Sequence, residues 1–328
     1  MAALGHLWPG LFGVALFFLI SGFVIPFSLE RNSVGGFFTR RLFRLYPTLW
    51  VAIGVTLAVL AVQAWALGTG FAYGAGEAGS SAVLVGVYLG RPWVDPVYWT
   101  LAIEEIFYVI AALCAWRGVL HRPVTVMMLG AALTTASVGI ARMAAPTTSV
   151  PAFWYLRTHA ARNAAFVVFI LIGVAFHEHY RGSWRTGTSI AVGAGLAGLF
   201  AVCLYHGPFP DDQPEAFGVS SLAALGLFGG LYLVRNRLRY VRSLDWLADV
   251  SYPLYLVHTI VGWVLMSALH RLIPSYAVVL PLTLAAVVGL AWAIHRWVEL
   301  PTTRLGRRLS PGSSDASEPP VDASVIRG

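Results

Sequence analysis

Apolar residues run along this chain in blocks of about twenty, separated by short polar stretches that carry arginine. Nine blocks qualify as membrane-spanning helices, at roughly 9–29, 45–67, 97–116, 123–144, 164–180, 187–205, 216–234, 249–269 and 276–297. Most reach the ~20 residues that cross about 30 Å of hydrocarbon at about 1.5 Å per residue. The run SSAVLVGVYLG, residues 80–90, is too short to span and reads as re-entrant or interfacial. The pattern predicts an all-α fold, a polytopic transmembrane helical bundle of about nine spans. It predicts a membrane-embedded domain over residues 1–306 and, from the Ser, Pro, Asp and Gly that follow, a disordered tail over 307–328.

Composition agrees with a membrane protein. Hydrophobic residues make up 58% of the chain and charged residues only 11%, against about 25% in soluble domains. The 12 Trp and 13 Tyr suit interfacial belts as well as a site. All 22 basic residues are Arg, and they sort the loops into two classes. Arg31, Arg40, Arg41 and Arg44 precede the second span; Arg117 and Arg122, Arg181 and Arg185, and Arg235, Arg237, Arg239 and Arg242 mark alternate connections; Arg304, Arg307 and Arg308 follow the last span. The intervening loops are poorer in Arg, and one holds Asp211, Asp212 and Glu215. Positive charge stays inside, so the expected location is the inner membrane, with the C-terminus cytoplasmic and the first residues outside.

That topology accounts for the net charge of +7 and leaves no soluble basic domain for nucleic acid. Cys114 and Cys203 lie in apolar spans, with neither a disulfide framework nor metal-ligand spacing. The N-terminus lacks the basic n-region of a signal peptide, and its apolar run continues too long. An N-terminus outside the cell without a leader fits a chain whose preceding span is missing.

The candidate chemistry begins with two adjacent carboxylates, Glu104 and Glu105, in the span WTLAIEEIFYVIAALCAW. A charge at the bilayer centre costs roughly 2.5–3.5 kcal/mol on insertion scales, so these groups must face protein, water or a partner. Thr100, Glu104 and Tyr108 repeat every four residues and share one helix face, while Glu105 lies about 100° round. One glutamate could pair with an arginine while the other reaches the outer interface. The functional alternative is a carboxylate that orients a partner base or accepts a proton from it, and Glu104 is favoured by its polar face.

Four other segments carry candidates. GVALFFLISGF (13–23) holds Ser21 and Gly22, small enough for a helix or ligand to approach the backbone. In RRLFRLYP (40–47), Arg40, Arg41 and Arg44 place two or three guanidinium groups on one face. They serve either as topogenic anchors or as a fork for phosphates. In SYPLYLVH (251–258), Ser251, Tyr255 and His258 share a face, for packing or for catalysis. HRWVELP (295–301) closes the last span, and its Glu299 is expected to pair locally with Arg296. His6 is the only histidine before residue 121 and falls, like Glu104, near the outer face.

In combination, GVALFFLISGF, RRLFRLYP, WTLAIEEIFY, SYPLYLVH and HRWVELP resemble, in order and over nearly the whole chain to about residue 308, the integral-membrane acyltransferase 3 family of bacterial O-acyltransferases. The resemblance implies transfer of an acyl group, often acetyl, from an acyl-CoA donor to a hydroxyl of a sugar or glycoconjugate, with no metal. It aligns Arg40, Arg41 and Arg44 with the family's basic motif, Glu104 with its W-S-L-x-x-E-x-x-F-Y glutamate (Thr100 replacing Ser) and His258 with its S-Y-P-x-Y-L-x-H histidine. Family members usually carry a further N-terminal span with an Arg, ending at a histidine thought to be catalytic. His6 is the candidate for that histidine, and either the start lies upstream of Met1 or the protein is a truncated, inactive relative. The expected mechanism uses His6 as base or transient acyl carrier, Glu104 to orient it, and the arginines to hold donor phosphates. A proton-coupled transporter is the rival class, against which no inverted repeat is evident.

Overall fold

The computed structural model describes residues 8–143, 151–207, 209 and 214–310. Twelve α-helices run in chain order, with bounds α1 Pro9–Glu30, α2 Val34–Leu67, α3 Ala75–Ala82, α4 Trp99–Trp116, α5 Pro123–Arg142, α6 Pro151–Tyr180, α7 Thr186–His206, α8 Pro214–Val234, α9 Arg242–Val257, α10 Ile260–Leu272, α11 Tyr276–Ile294 and α12 Leu300–Leu309. Among the described residues eight helical segments are individually long and apolar enough to span, and the count reaches nine when the bent pair α9–α10 is taken as one span. The protein is therefore a multi-pass helical membrane bundle, as the hydropathy pattern predicts.

Two cores flank a central seam. In the first, α6 is buried on every side from Ala165 to Ile172 and is packed by α1, α5 and α7. The contact between α1 and α6 is a glycine crossing: a methyl group on Gly22 would overlap the Ile170 carbonyl, and one on Gly173 would overlap the Leu19 carbonyl. In membranes, small residues let helix backbones approach in this way. The second core joins Leu49, Ala52 and Ile53 of α2 to Leu101 and Ala102 of α4, Leu256 and Val257 of α9 and Val287 of α11.

The segment between α2 and α4 turns back into the bundle. The Trp50 indole donates to the Ala82 carbonyl at 3.0 Å, and Leu84 and Val87 pack on Leu49 and Ile53, midway along α2 rather than at its end near Leu67. Residues 80–90 thus lie against the middle of α2. Irregular backbone survives at such depth only where protein satisfies it. The Ser81 hydroxyl accordingly accepts the Val94 N–H at 3.1 Å.

Three of the boundaries that differ from the hydropathy reading bear on the site. First, α2 begins at Val34, not 45, because Ser33 caps it by accepting the Gly36 N–H at 3.1 Å. The arginines at 40–44 therefore sit on helix. Second, the span expected at 249–269 is broken by a 76° bend between α9 and α10. There the buried Asp95 carboxylate accepts the Ile260 N–H at 3.2 Å and supports a new helix N-terminus. Third, the last span continues through a π-helical turn, His295–Glu299, into α12. Arg307 to Ser310, expected to open the tail, thus belong to or close α12, while 311–328 lie outside the described residues.

The arginine-bearing connections share one end of the bundle. Arg181 pairs with Glu30 at 3.2 Å, Trp184 donates to the His121 carbonyl at 2.5 Å, and α12 packs on the start of α2. At the far end, the Trp8 N–H donates to the Ser220 hydroxyl at 3.2 Å.

Candidate functional site

A cavity of about 700 Å³ opens in the seam between α1, α2, α4 and α9. Arg41 and Arg44 line it towards the arginine-rich end, Glu104 and Tyr108 lie midway, and His258 and Thr259 stand towards the far end with Trp8. Its aromatic wall includes Phe17 and Tyr255, stacked at 6.1 Å with a 10° interplanar angle.

Glu104 is 6% exposed, and its burial is compensated. The Ser21 hydroxyl donates to its Oε1 at 2.8 Å, and Tyr108, one turn along, presents its hydroxyl to the same carboxylate. Ser21 lies midway along α1, so Glu104 sits in the middle of the bundle and not near its outer face as expected. Glu105 turns to the Tyr46 hydroxyl on α2 and does not line the cavity.

The three arginines split. Arg41 lies over the Tyr108 ring at 5.2 Å and the Phe37 ring at 5.6 Å. Arg44 reaches Glu299 at 3.7 Å while its side chain remains 45% exposed, so it keeps donors free for a ligand. Arg40 points away, its Nε donating to Ser310 Oγ at 3.1 Å. Glu299 was expected to pair with Arg296, but it meets Arg44 and His295, the latter at 2.8 Å. The π-helical turn changes which residues share a face at this point.

Thr100 does not line the cavity. Its hydroxyl is 2.6 Å from that of Tyr255, which does line it and donates to the Val97 carbonyl at 2.8 Å. Ser251 lines the cavity and donates to the Ala248 carbonyl at 2.7 Å. Ser251, Tyr255 and His258 thus share a wall, as their spacing predicts. His258 Nδ1 is 2.8 Å from the Tyr255 carbonyl oxygen, and its Nε2 is 3.2 Å from Thr259 Oγ1. His6 lies outside the described residues. Among the described residues no group of three metal-ligating side chains comes together.

Sequence reasoning missed Asp95 and Tyr252. Asp95 is fully buried and accepts from the N–H groups of Val97 and Ile260 at 3.1 and 3.2 Å. Its signal is the Asp-Pro pair at 95–96, a helix-start signature. Tyr252 donates to the Leu45 carbonyl at 2.9 Å, tying α9 to α2 beside Arg44. No local pattern announces that bond.

The profile of a family described as an acyltransferase domain matches residues 8–296. Nodulation protein 10 of Rhizobium leguminosarum bv. viciae is 29% identical over 338 aligned positions, covering 91% of this chain and 85% of that protein. No solved structure matches the chain. With a match from the first described helix to the π-helical turn, on a multi-pass bundle, the chain belongs to the acyltransferase 3 family and is a membrane enzyme that transfers acyl groups other than aminoacyl groups.

Proposed function

We propose that the protein carries an acyl group, most simply acetyl, from acyl-CoA to a hydroxyl of a sugar or glycoconjugate. The observation that carries this reading is the single cavity holding Arg41 and Arg44 towards one end, Glu104 midway and His258 towards the other. Its volume, about 700 Å³, falls within the usual range for ligand sites. The arginine-rich end is assigned to the cytoplasm of the inner membrane by the positive-inside rule. That places α12 and the C-terminus inside, where acyl-CoA is made.

Arg41 and Arg44 hold donor phosphates by charge-assisted hydrogen bonds. The thioester arm extends along the apolar wall towards Glu104. A hydroxyl entering from the far end attacks the acyl carbon, the bond from carbon to sulfur breaks, and a histidine base carries the hydroxyl proton to the departing thiolate. The fixed negative charge of Glu104, oriented by Ser21 and Tyr108, favours the protonated form of that base, as the carboxylate does in a triad. His6 is the base or transient acyl carrier on this reading, and Arg40, whose Nε donates to Ser310, stands outside the phosphate-holding pair.

Host membranes supplied with radiolabelled acetyl-CoA provide the test. Label is expected to enter the glycan fraction in the presence of the protein and to fall sharply in a deletion strain. Label transfer unchanged by the deletion would refute the reading.

A further inference from the structure

At the far end of the cavity, both residues of the α9–α10 break, His258 and Thr259, form part of the wall. The break fixes the tautomer of the ring. The Tyr255 carbonyl oxygen, 2.8 Å from Nδ1, can only accept, so Nδ1 carries the proton of the neutral imidazole. Nε2 is then a bare lone pair, and the Thr259 hydroxyl, 3.2 Å away, donates to it. At the same break, Asp95 is locked by the N–H groups of Val97 and Ile260. A proton acceptor needs a lone pair facing the incoming hydroxyl and a setting that welcomes the imidazolium. His258 presents that lone pair at the cavity wall, and the Thr259 hydroxyl marks where the substrate hydroxyl would donate.

We propose that His258 is the general base that deprotonates the acceptor hydroxyl. This rests on the acyl-transfer reading and replaces His6 as the base. The hydroxyl oxygen bonds to the acyl carbon as its proton passes to Nε2, and the acyl carbon releases its previous partner. The proton then passes from Nε2 to that leaving group, the donor thiolate, and the neutral ring returns. Nδ1–H stays on the Tyr255 carbonyl throughout. The charged and titratable groups facing the ring are Asp95 from the segment before α4 and Tyr255 from its own helix. Glu104 of α4, Tyr252 of α9 and Arg41 and Arg44 of α2 share the cavity.

The test uses host membranes carrying the full-length protein, with radiolabelled acetyl-CoA and label counted in the glycan fraction. His258→Gln, which keeps hydrogen-bonding capacity but cannot act as a base, is expected to lower the transfer rate about 10²–10⁴-fold, with the KM for acetyl-CoA unchanged. Wild-type transfer should fall at acid pH as the imidazole is protonated, and that limb should be absent from the residual activity of the variant. His258→Ala should regain activity with added imidazole. If His258→Gln retains the wild-type rate and acid limb, the base assignment is wrong while acyl transfer stands. If His258→Ala is inactive and imidazole restores nothing, although the variant is inserted at wild-type levels, the residue is structural and the assignment again fails. No label transfer by wild-type membranes would overturn the acyl-transfer reading and this inference with it.

Discussion

Replacing Gly22 by alanine tests the crossing on which the site is built. The added methyl group would overlap the Ile170 carbonyl and approach Gly173 Cα to 3.0 Å. Both obstacles are backbone, so no side-chain rotation relieves the clash. With the Ile170 oxygen 2.0 Å from the added methyl carbon, α1 and α6 would have to part by about 1.5 Å to regain an ordinary non-bonded spacing near 3.5 Å. Overpacking of this kind costs about 1–3 kcal/mol. The same displacement would draw Ser21, the neighbouring residue, away from Glu104, to which it now donates at 2.8 Å. Gly54→Ala is the control: Gly54 lies in the interior of α2 with nothing near its virtual methyl group, and alanine there should stabilise the helix by about 0.5–1 kcal/mol. Thermal unfolding in lipid nanodiscs should therefore move in opposite directions for the two variants, with acyl transfer reduced only in Gly22→Ala. Equal stability of Gly22→Ala and wild type would refute the close backbone contact and the depth assigned to Ser21 and Glu104.

Three further predictions follow from the cavity. Glu104→Gln, which keeps shape and removes charge, should lower label transfer far more than Ser21→Ala. The hydrogen bond lost in Ser21→Ala is worth about 1.5–3 kcal/mol to a charged acceptor, an upper limit because Tyr108 still contacts the carboxylate; equal rates in both variants would contradict the pairing. The double variant Arg41→Ala/Arg44→Ala should raise the KM for acetyl-CoA, whereas Arg40→Ala, on the face turned to Ser310, should leave it nearly unchanged. Asp95→Ala should lower thermal stability by about 1–3 kcal/mol for each buried N–H it orphans, and hydrogen exchange at Val97 and Ile260 should quicken.

Much of the architecture is legible because the bilayer imposes it. Runs of apolar residues reveal spans, arginine counts separate the two ends, and a four-residue repeat places Thr100, Glu104 and Tyr108 on one face. The packing of 80–90 against the middle of α2 and the bend at His258 are not legible in this way. Each depends on a distant partner, Trp50 for Ala82 and Asp95 for Ile260, and hydropathy windows average over both. The split of Arg40 from Arg41 and Arg44 is likewise invisible in spacing, because α12 and the π-helical turn decide which guanidinium groups are occupied.

The sequence by itself determined the class of this protein: an all-helical bundle, membrane residence, the arginine-rich end and the family-defining segments in order. These follow from local composition, since each span must satisfy its own backbone in lipid and each charge must leave the hydrocarbon or find a partner. Only the tertiary structure decided that Glu104 lies at mid-depth beside Ser21, that Arg44 is held by Glu299, and that His258 presents Nε2 at a cavity wall. Those outcomes depend on how deep one helix starts relative to another and where a helix breaks, and both are set by contacts between residues far apart in the chain.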